Sequence, residues 1–216
     1  MDQISLAASP GEVRWLGLRA FLRRRSAVLG AALVVVNVLI ALGATPIARV
    51  DPQVLEVKAR LAPPTAQHWF GTDHVGRDAW SRVIHGARLS MIVGGSVVAL
   101  SFVGGVVFGV LGGYFRGLDN VLMRVMDGLM AFPGIILAIA MMASLGPSVL
   151  NVIVALGVVY VPRVARIVRG SVLVIRETPY VEAARALGIR DGRIIPRHVL
   201  PQCMSAVIVL GAFTFA

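Results

Sequence analysis

Apolar residues run along this chain in long blocks, not in the alternating pattern of a half-buried strand or the one-sided periodicity of a water-facing helix. Four long stretches carry no charged residue: 26–48, 89–115, 128–162 and 199–216. About 20 apolar residues laid out as a helix cross the hydrocarbon core of a bilayer, so the first two stretches predict one span each. The third holds 35 residues, too many for one span, and Gly146-Pro147-Ser148 inside it is a turn signal. It predicts two helices, over 121–145 and 149–168. A fifth helix is expected from about Pro201 and is still apolar at Ala216. A natural end at membrane depth would strand a carboxylate and several carbonyls in hydrocarbon. The chain therefore reads as truncated or incomplete; the alternative is a natural short form whose last helix just reaches the far side. The first apolar stretch, 23 residues long and preceded by 25 others, exceeds a signal-peptide core and reads as a permanent anchor helix.

Composition agrees with lipid as the solvent. Hydrophobic residues make up 57% of the 216 and mean hydropathy is +0.81, more apolar surface than a soluble domain of this size buries. The single Cys203 excludes an intramolecular disulfide framework and a cysteine-rich metal knot. A net charge of +10 raises the possibility of nucleic acid, but aromatics are only 6% and the arginines sit between apolar runs, not beside stacking residues on one water-exposed face. The positive-inside bias of membrane proteins accounts for them better. Alternating the loops across the spans puts 1–25, 116–127 and 163–197 on one side, with 15 basic and 7 acidic residues, and 49–88 on the other, with 6 basic and 4 acidic. The expected orientation has the N-terminus in the cytoplasm and 49–88 in an extracytoplasmic loop.

Between the fourth and fifth spans lies the most informative segment, 177–201, ETPYVEAARALGIRDGRIIPRHVLP, which reads as two short helices. Thr178 can N-cap the first with Pro179 at N1, and Gly188 offers the left-handed exit that ends a helix. Asp191 can cap the second, which Pro196 or Pro201 interrupts. Val181, Ala184 and Leu187 are expected on one apolar face. Small residues at Ala183 and Ala184 allow another surface to approach closely.

The run Glu182-Ala183-Ala184, three residues, Gly188, then Leu200-Pro201 resembles the EAA loop of ABC-importer permeases, the cytoplasmic coupling helix that docks into a groove on the ATPase subunit. Tyr180-Val181, Arg185-Ala186-Leu187 and His198-Val199 are similar to the peptide and nickel branch of that family; His198 departs from the general pattern, which has an apolar residue there. The resemblance implies Tyr180, Glu182, Ala183, Ala184, Leu187, Gly188, Leu200 and Pro201 as the ATPase-docking set. The bland alternative is a basic amphipathic linker lying on the membrane. Gly71-Thr72-Asp73, Gly76-Arg77-Asp78, Ser81-Arg82 and Gly86-Ala87-Arg88-Leu89-Ser90 resemble the signature that precedes the second span in the same branch. There Asp78 can cap a helix that carries Trp80 at the membrane interface and runs on into the span. His68, His74 and His85, with Asp73, lack the i, i+4 spacing of a helical metal pair, so loop and interface roles are expected and no metal. Asp119, Arg124, Asp127 and Pro133 also resemble the family; Arg124 and Asp127 are spaced to pair at i, i+3 and lie near enough to the headgroups to snorkel, which makes anchoring their expected role, and Pro133 is placed to kink the third span.

In the second span Ser101, Gly105, Gly109 and Gly113 recur every four residues and make one small-residue face for close helix packing, either inside the chain or against another subunit. The lone lysine, Lys58, sits in no P-loop, and no nucleophile elbow or HExxH helix is present. Nothing points to covalent chemistry or to a cofactor. The resemblance therefore implies an all-α type I importer permease with a core over 89–216, a sixth helix beyond this end, and alternating access driven by partners. Those partners are a second permease, two ABC ATPase subunits, an extracytoplasmic substrate-binding protein and membrane lipid. The implied cargo is peptide, with nickel or another small solute as the alternative. A rival reading is a truncated scaffold that binds partners but transports nothing. A secondary carrier would need an internal repeat or buried ionisable residues, and neither is seen.

Overall fold

The computed structural model describes residues 22–215. The expected cytoplasmic segment 1–25 lies almost wholly outside the described residues, as does Ala216. Every regular element among those described is helical, apart from one isolated bridge between Thr72 and Asp78. By length and composition four helices among the described residues can cross a membrane, or five if one sharply bent pair counts as a single span. The chain divides into two compact units, Met1–Met91 and Ile92–Ala216, and the helix Ala79–Tyr114 contributes to both.

In the first unit, α1 (Arg25–Leu42) is followed across Gly43 by the short α2 (Ala44–Ile47), together covering the expected first span. The loop that follows is a folded plate with little regular structure. Gly71 and Gly76 both have left-handed backbone (φ 69° and 84°). A Cβ on Gly71 would lie 2.5 Å from the Ala62 carbonyl oxygen, and one on Gly76 would lie 2.0 Å from that of Glu56; only glycine permits such approach. Asp73 is the hub, accepting from the amides of Val75 and Arg77, from Arg77 Nε at 2.9 Å and from Arg82 Nη1 at 2.5 Å. Asp78 accepts from the Ser81 amide at 2.7 Å, the N-cap expected of it, and from His68 Nδ1 at 3.0 Å. Trp80 donates its indole N–H to the Ile47 carbonyl at 3.3 Å, tying the two ends of the plate together. The helix it starts, α3 (Ala79–Tyr114), is continuous for 36 residues.

In the second unit the expected third span is not one kinked helix. It consists of α4 (Arg116–Met130) and α5 (Gly134–Leu145), which meet at 87°. The cause is local. Pro133 disfavours helical backbone at Phe132 before it and lacks an amide hydrogen, and it adopts extended ψ (124°) as the N-cap of α5. Helix α4 has a polar and an apolar side, and the 12 residues of α5 span about 18 Å, short of a bilayer core of about 30 Å. The Gly146-Pro147-Ser148 turn follows as expected, with Ser148 Oγ accepting from the Asn151 amide and Asn151 Nδ2 donating to the carbonyls of Leu145 and Gly146.

Helix α6 (Val149–Ile175) runs seven residues past its expected end at Val168. The Arg124–Asp127 pair is not formed. Asp127 instead accepts from Arg166 on α6 at 2.5 Å, and Asp119 takes Arg169 in two bonds of 2.5 and 2.6 Å. Two carboxylates on one face of α4 are thus zipped to two arginines on one face of α6, and partners on a packed neighbour prevail over the weak i, i+3 contact.

Helix α3 approaches α6 along its small residues. A Cβ on Gly105, Gly109 or Gly113 would fall 2.4, 2.7 and 2.7 Å from the Cβ atoms of Val164, Val168 and Val172. Ser101 is buried on the same stripe, its hydroxyl donating to the Val98 carbonyl.

Two predictions follow from these contacts. G109V drives a branched side chain into Ala165 and Val168 and should lower stability by about 1–3 kcal/mol, read as faster thiol-dye labelling of the buried Cys203 on heating in detergent. The plate should resist mild acid. Burial raises the Asp73 carboxyl, but the Arg77 and Val75 amides and the Arg77 guanidinium outweigh it and hold the group well below the usual range; Asp78 is likewise lowered, the Ser81 and His68 bonds overcoming its burial. Carboxyls lowered on folding contribute stability that is complete above the unfolded value of about 4 and is lost as pH falls through the folded values. Emission of Trp69 and Trp80 in a W15F background should be flat from pH 7 to about 4 and change below it, whereas in D78A, which loses the cap, the change should begin at higher pH.

Candidate functional site: the loop between the last two long helices

The segment 177–201 folds onto the end of α6 as a small helical elbow. Helix α7 (Pro179–Ala186) begins with Pro179 at its first position, where a missing amide hydrogen costs nothing. Thr178 stands at the N-cap with extended backbone but makes no side-chain cap. Its hydroxyl donates instead to the Ile175 carbonyl at 2.5 Å, completing the end of α6. The exit is a Schellman turn: the Ile189 amide donates to the Ala184 carbonyl at 3.1 Å and the Gly188 amide to Arg185 at 2.9 Å, with Gly188 at φ 76°. A Cβ on Gly188 would meet nothing within 4 Å, so its glycine is required by backbone conformation and not by space.

Helix α8 (Asp191–Ile194) follows, then one π-helical turn over Ile195–Val199, then α9 (Leu200–Phe215). Pro196 and Pro201 do not break the chain into separate helices. The wider turn absorbs the amide hydrogens they lack, and the axis from Asp191 to Phe215 stays continuous. Nor does Asp191 cap α8; that position is Arg190. The Asp191 carboxylate faces back to α3 and accepts a short hydrogen bond from the Tyr114 hydroxyl.

Two faces result. Inward, Val181, Ala184, Ile194 and Val199 join Val168, Val172 and Ile175 of α6 and Val110 and Tyr114 of α3 in one buried cluster. Outward, Glu182, Ala183, Ala186, Leu187 and Gly188 are all exposed. Leu187, expected on the buried stripe with Val181 and Ala184, is 80% exposed. Two steps of three residues rotate a side chain by about 120° from its starting direction, which carries Leu187 out of the stripe and onto the elbow's tip. Tyr180 is half-exposed with its ring 6.1 Å from that of His198. Leu200 is half-buried and Pro201 exposed on the first turn of α9, apart from the tip in sequence and at the far end of the elbow.

Three contacts unmarked by any motif hold the elbow to the second long helix. The Tyr114–Asp191 bond is one. Arg185 lies over the Tyr114 ring, its guanidinium carbon 5.0 Å from the centroid. Arg176 at the end of α6 donates to the Gly113 carbonyl at 2.7 Å and to Glu177 at 3.0 Å, satisfying an acceptor in the last turn of α3. The small-residue stripe ends at this same Gly113. Among the described residues no cluster of three or more His, Cys, Asp or Glu is placed to hold a metal ion; His68 is engaged with Asp78 and His85 with the Ser81 carbonyl.

Long apolar helices packed through small residues, with a polar elbow hung between two of them, define a helical membrane protein. Residues 105–216 match the family model described as the binding-protein-dependent transport system inner membrane component, and the chain belongs to that family. It is 48% identical over 201 residues to a putative peptide transport system permease protein of Brucella suis biovar 1, covering 93% of this chain and 68% of that one. It is 38% identical to the dipeptide transport system permease protein DppC of Alkalihalophilus pseudofirmus, over 89% of this chain and 64% of the relative. It is 39% identical to the glutathione transport system permease protein GsiD of Pectobacterium atrosepticum, over 88% and 64%. The chain thus spans about two thirds of the length of these relatives.

Loss of the Tyr114 hydroxyl is expected to loosen the elbow without unfolding the bundle. Y114F should cost about 1 kcal/mol and speed tryptic cleavage after Arg190 and Arg193, while labelling of Cys203 at low temperature stays at the level of the unaltered chain.

Proposed function

We propose that this chain is a permease subunit of an ABC importer of peptides, moving its cargo across the cytoplasmic membrane by alternating access that partner ATPases drive. The observation that carries the reading is the agreement among relatives, whose names specify peptide, dipeptide and glutathione transport; glutathione is itself a peptide. The elbow supplies the mechanical side. In this proposal Glu182, Ala183, Leu187 and Gly188 form the tip that enters a groove on an ATPase, with Tyr180, Ala184, Leu200 and Pro201 supporting it, and the permease core extends over 89–216.

The geometry supports a lever. An exposed leucine beside small residues offers one apolar anchor at a site where a second surface can come close, and the buried side of the elbow is continuous with the core of α3, α6 and α9. A push on the tip is thereby delivered to three packed helices together and not to a loose loop. ATP closure of two ATPase subunits would bias a two-state rearrangement of that packing. The excess of arginine on the side that holds 177–201 supports placing the elbow and the N-terminus in the cytoplasm. A second permease would complete the pathway, and a binding protein would deliver peptide on the opposite side, where 49–88 lies.

The test uses the assembled transporter. L187A should weaken co-purification of the ATPase by about tenfold or more, and G188L or E182K should abolish uptake of labelled peptide while membrane insertion is unchanged. Normal uptake in both of the latter variants would refute the lever, and labelling of an engineered cysteine at position 187 from outside intact cells would refute the orientation.

A further inference from the structure

A second feature of the bundle lies away from the elbow. Between α4 and α6 is an open cleft of about 880 Å³ whose charged lining comes from these two helices alone. Asp119 and Asp127 each take one guanidinium, Arg169 and Arg166. One cation is left over. Arg124 also lines the cleft and makes no ion pair among the described residues, and half-exposed Arg166 keeps N–H groups beyond its single bond to Asp127.

Depth says what such a cleft meets. Helix α6 is uncharged from Val149 to Pro162, about 21 Å of helix, and then carries Arg163, Arg166 and Arg169 at three-residue intervals. Set against a hydrocarbon core of about 30 Å, these arginines fall where the span approaches the phosphates, within snorkelling reach of them. The cleft wall on α4 includes Val121 and Val125, 64% and 54% exposed and four residues apart on one helical face. Surplus positive charge beside bare aliphatic side chains at headgroup depth matches a ligand that is anionic at one end and aliphatic at the other.

We propose that this cleft binds the headgroup of an anionic phospholipid, with Arg124 and the free N–H groups of Arg166 on the phosphodiester oxygens and the acyl chains lying along Val121 and Val125. An inorganic phosphate ion would use the same guanidinium groups but gain nothing from the valines. On the orientation proposed above this is the inner leaflet, although depth and not side defines the site. Through the Asp119–Arg169 and Asp127–Arg166 pairs, a bound headgroup would add a third cross-link between the amphipathic α4 and the helix that leads into the elbow.

The experiment is native mass spectrometry of the purified, delipidated protein after exposure to equimolar phosphatidylglycerol and phosphatidylcholine of identical acyl chains, with and without inorganic phosphate. Phosphatidylglycerol should be retained in preference. That preference should fall about fivefold in R124Q and be unchanged in R163Q, which removes an arginine of the same helical region outside the cleft. Equal retention of the two lipids, an undiminished preference in R124Q, or displacement of phosphatidylglycerol by inorganic phosphate would each overturn the proposal. No transport enters the measurement, so its outcome is independent of the peptide-import reading.

Discussion

The structure depends on how closely α3 can lie against α6. Two apolar helices in lipid gain nothing from excluding water, so what holds them is the density of contact between their surfaces. Glycines at 105, 109 and 113 let the valines of α6 fill the space that side chains would otherwise occupy. The register so fixed sets the Gly113 carbonyl opposite Arg176 and Tyr114 opposite Asp191. Slide one helix by a turn, about 5.4 Å, and both bonds are lost, together with the platform on which the elbow sits.

Much of this fold was legible in the sequence wherever the signal was local. The uncharged stretches located every span but the third, whose expected single helix is the bent pair α4 and α5; the Gly-Pro-Ser turn located the hairpin between α5 and α6, and the step from Ala186 to Gly188 located the end of α7, because each depends on a few consecutive residues. Asp78 as the cap of α3 belongs to the same class, lying three residues from the amide it satisfies. The candidate site was only half legible. Glu182, Ala183 and Gly188 stand out through their resemblance to the EAA loop, but Tyr114 and Asp191 are 77 residues apart and no periodicity connects them.

The misread contacts share a cause. Arg124 with Asp127, Thr178 as a capping side chain and Asp191 as the next cap are all near-neighbour pairings that local rules favour. In each case a partner on another element, or the end of the preceding helix, offered the polar group a better-placed bond. Leu187 is the converse: an apolar residue assigned to the interior whose helical angle turns it outward. Local propensity supplies candidates for polar groups, and packing decides among them.

The right-angled bend around Phe132 and Pro133 carries a consequence for hydration. Hydrocarbon tails offer no hydrogen bonds, so a stretch of backbone without its helical pairing cannot rest against them. With about 18 Å of α5 beyond it, this corner must be sheltered by protein or reached by solvent.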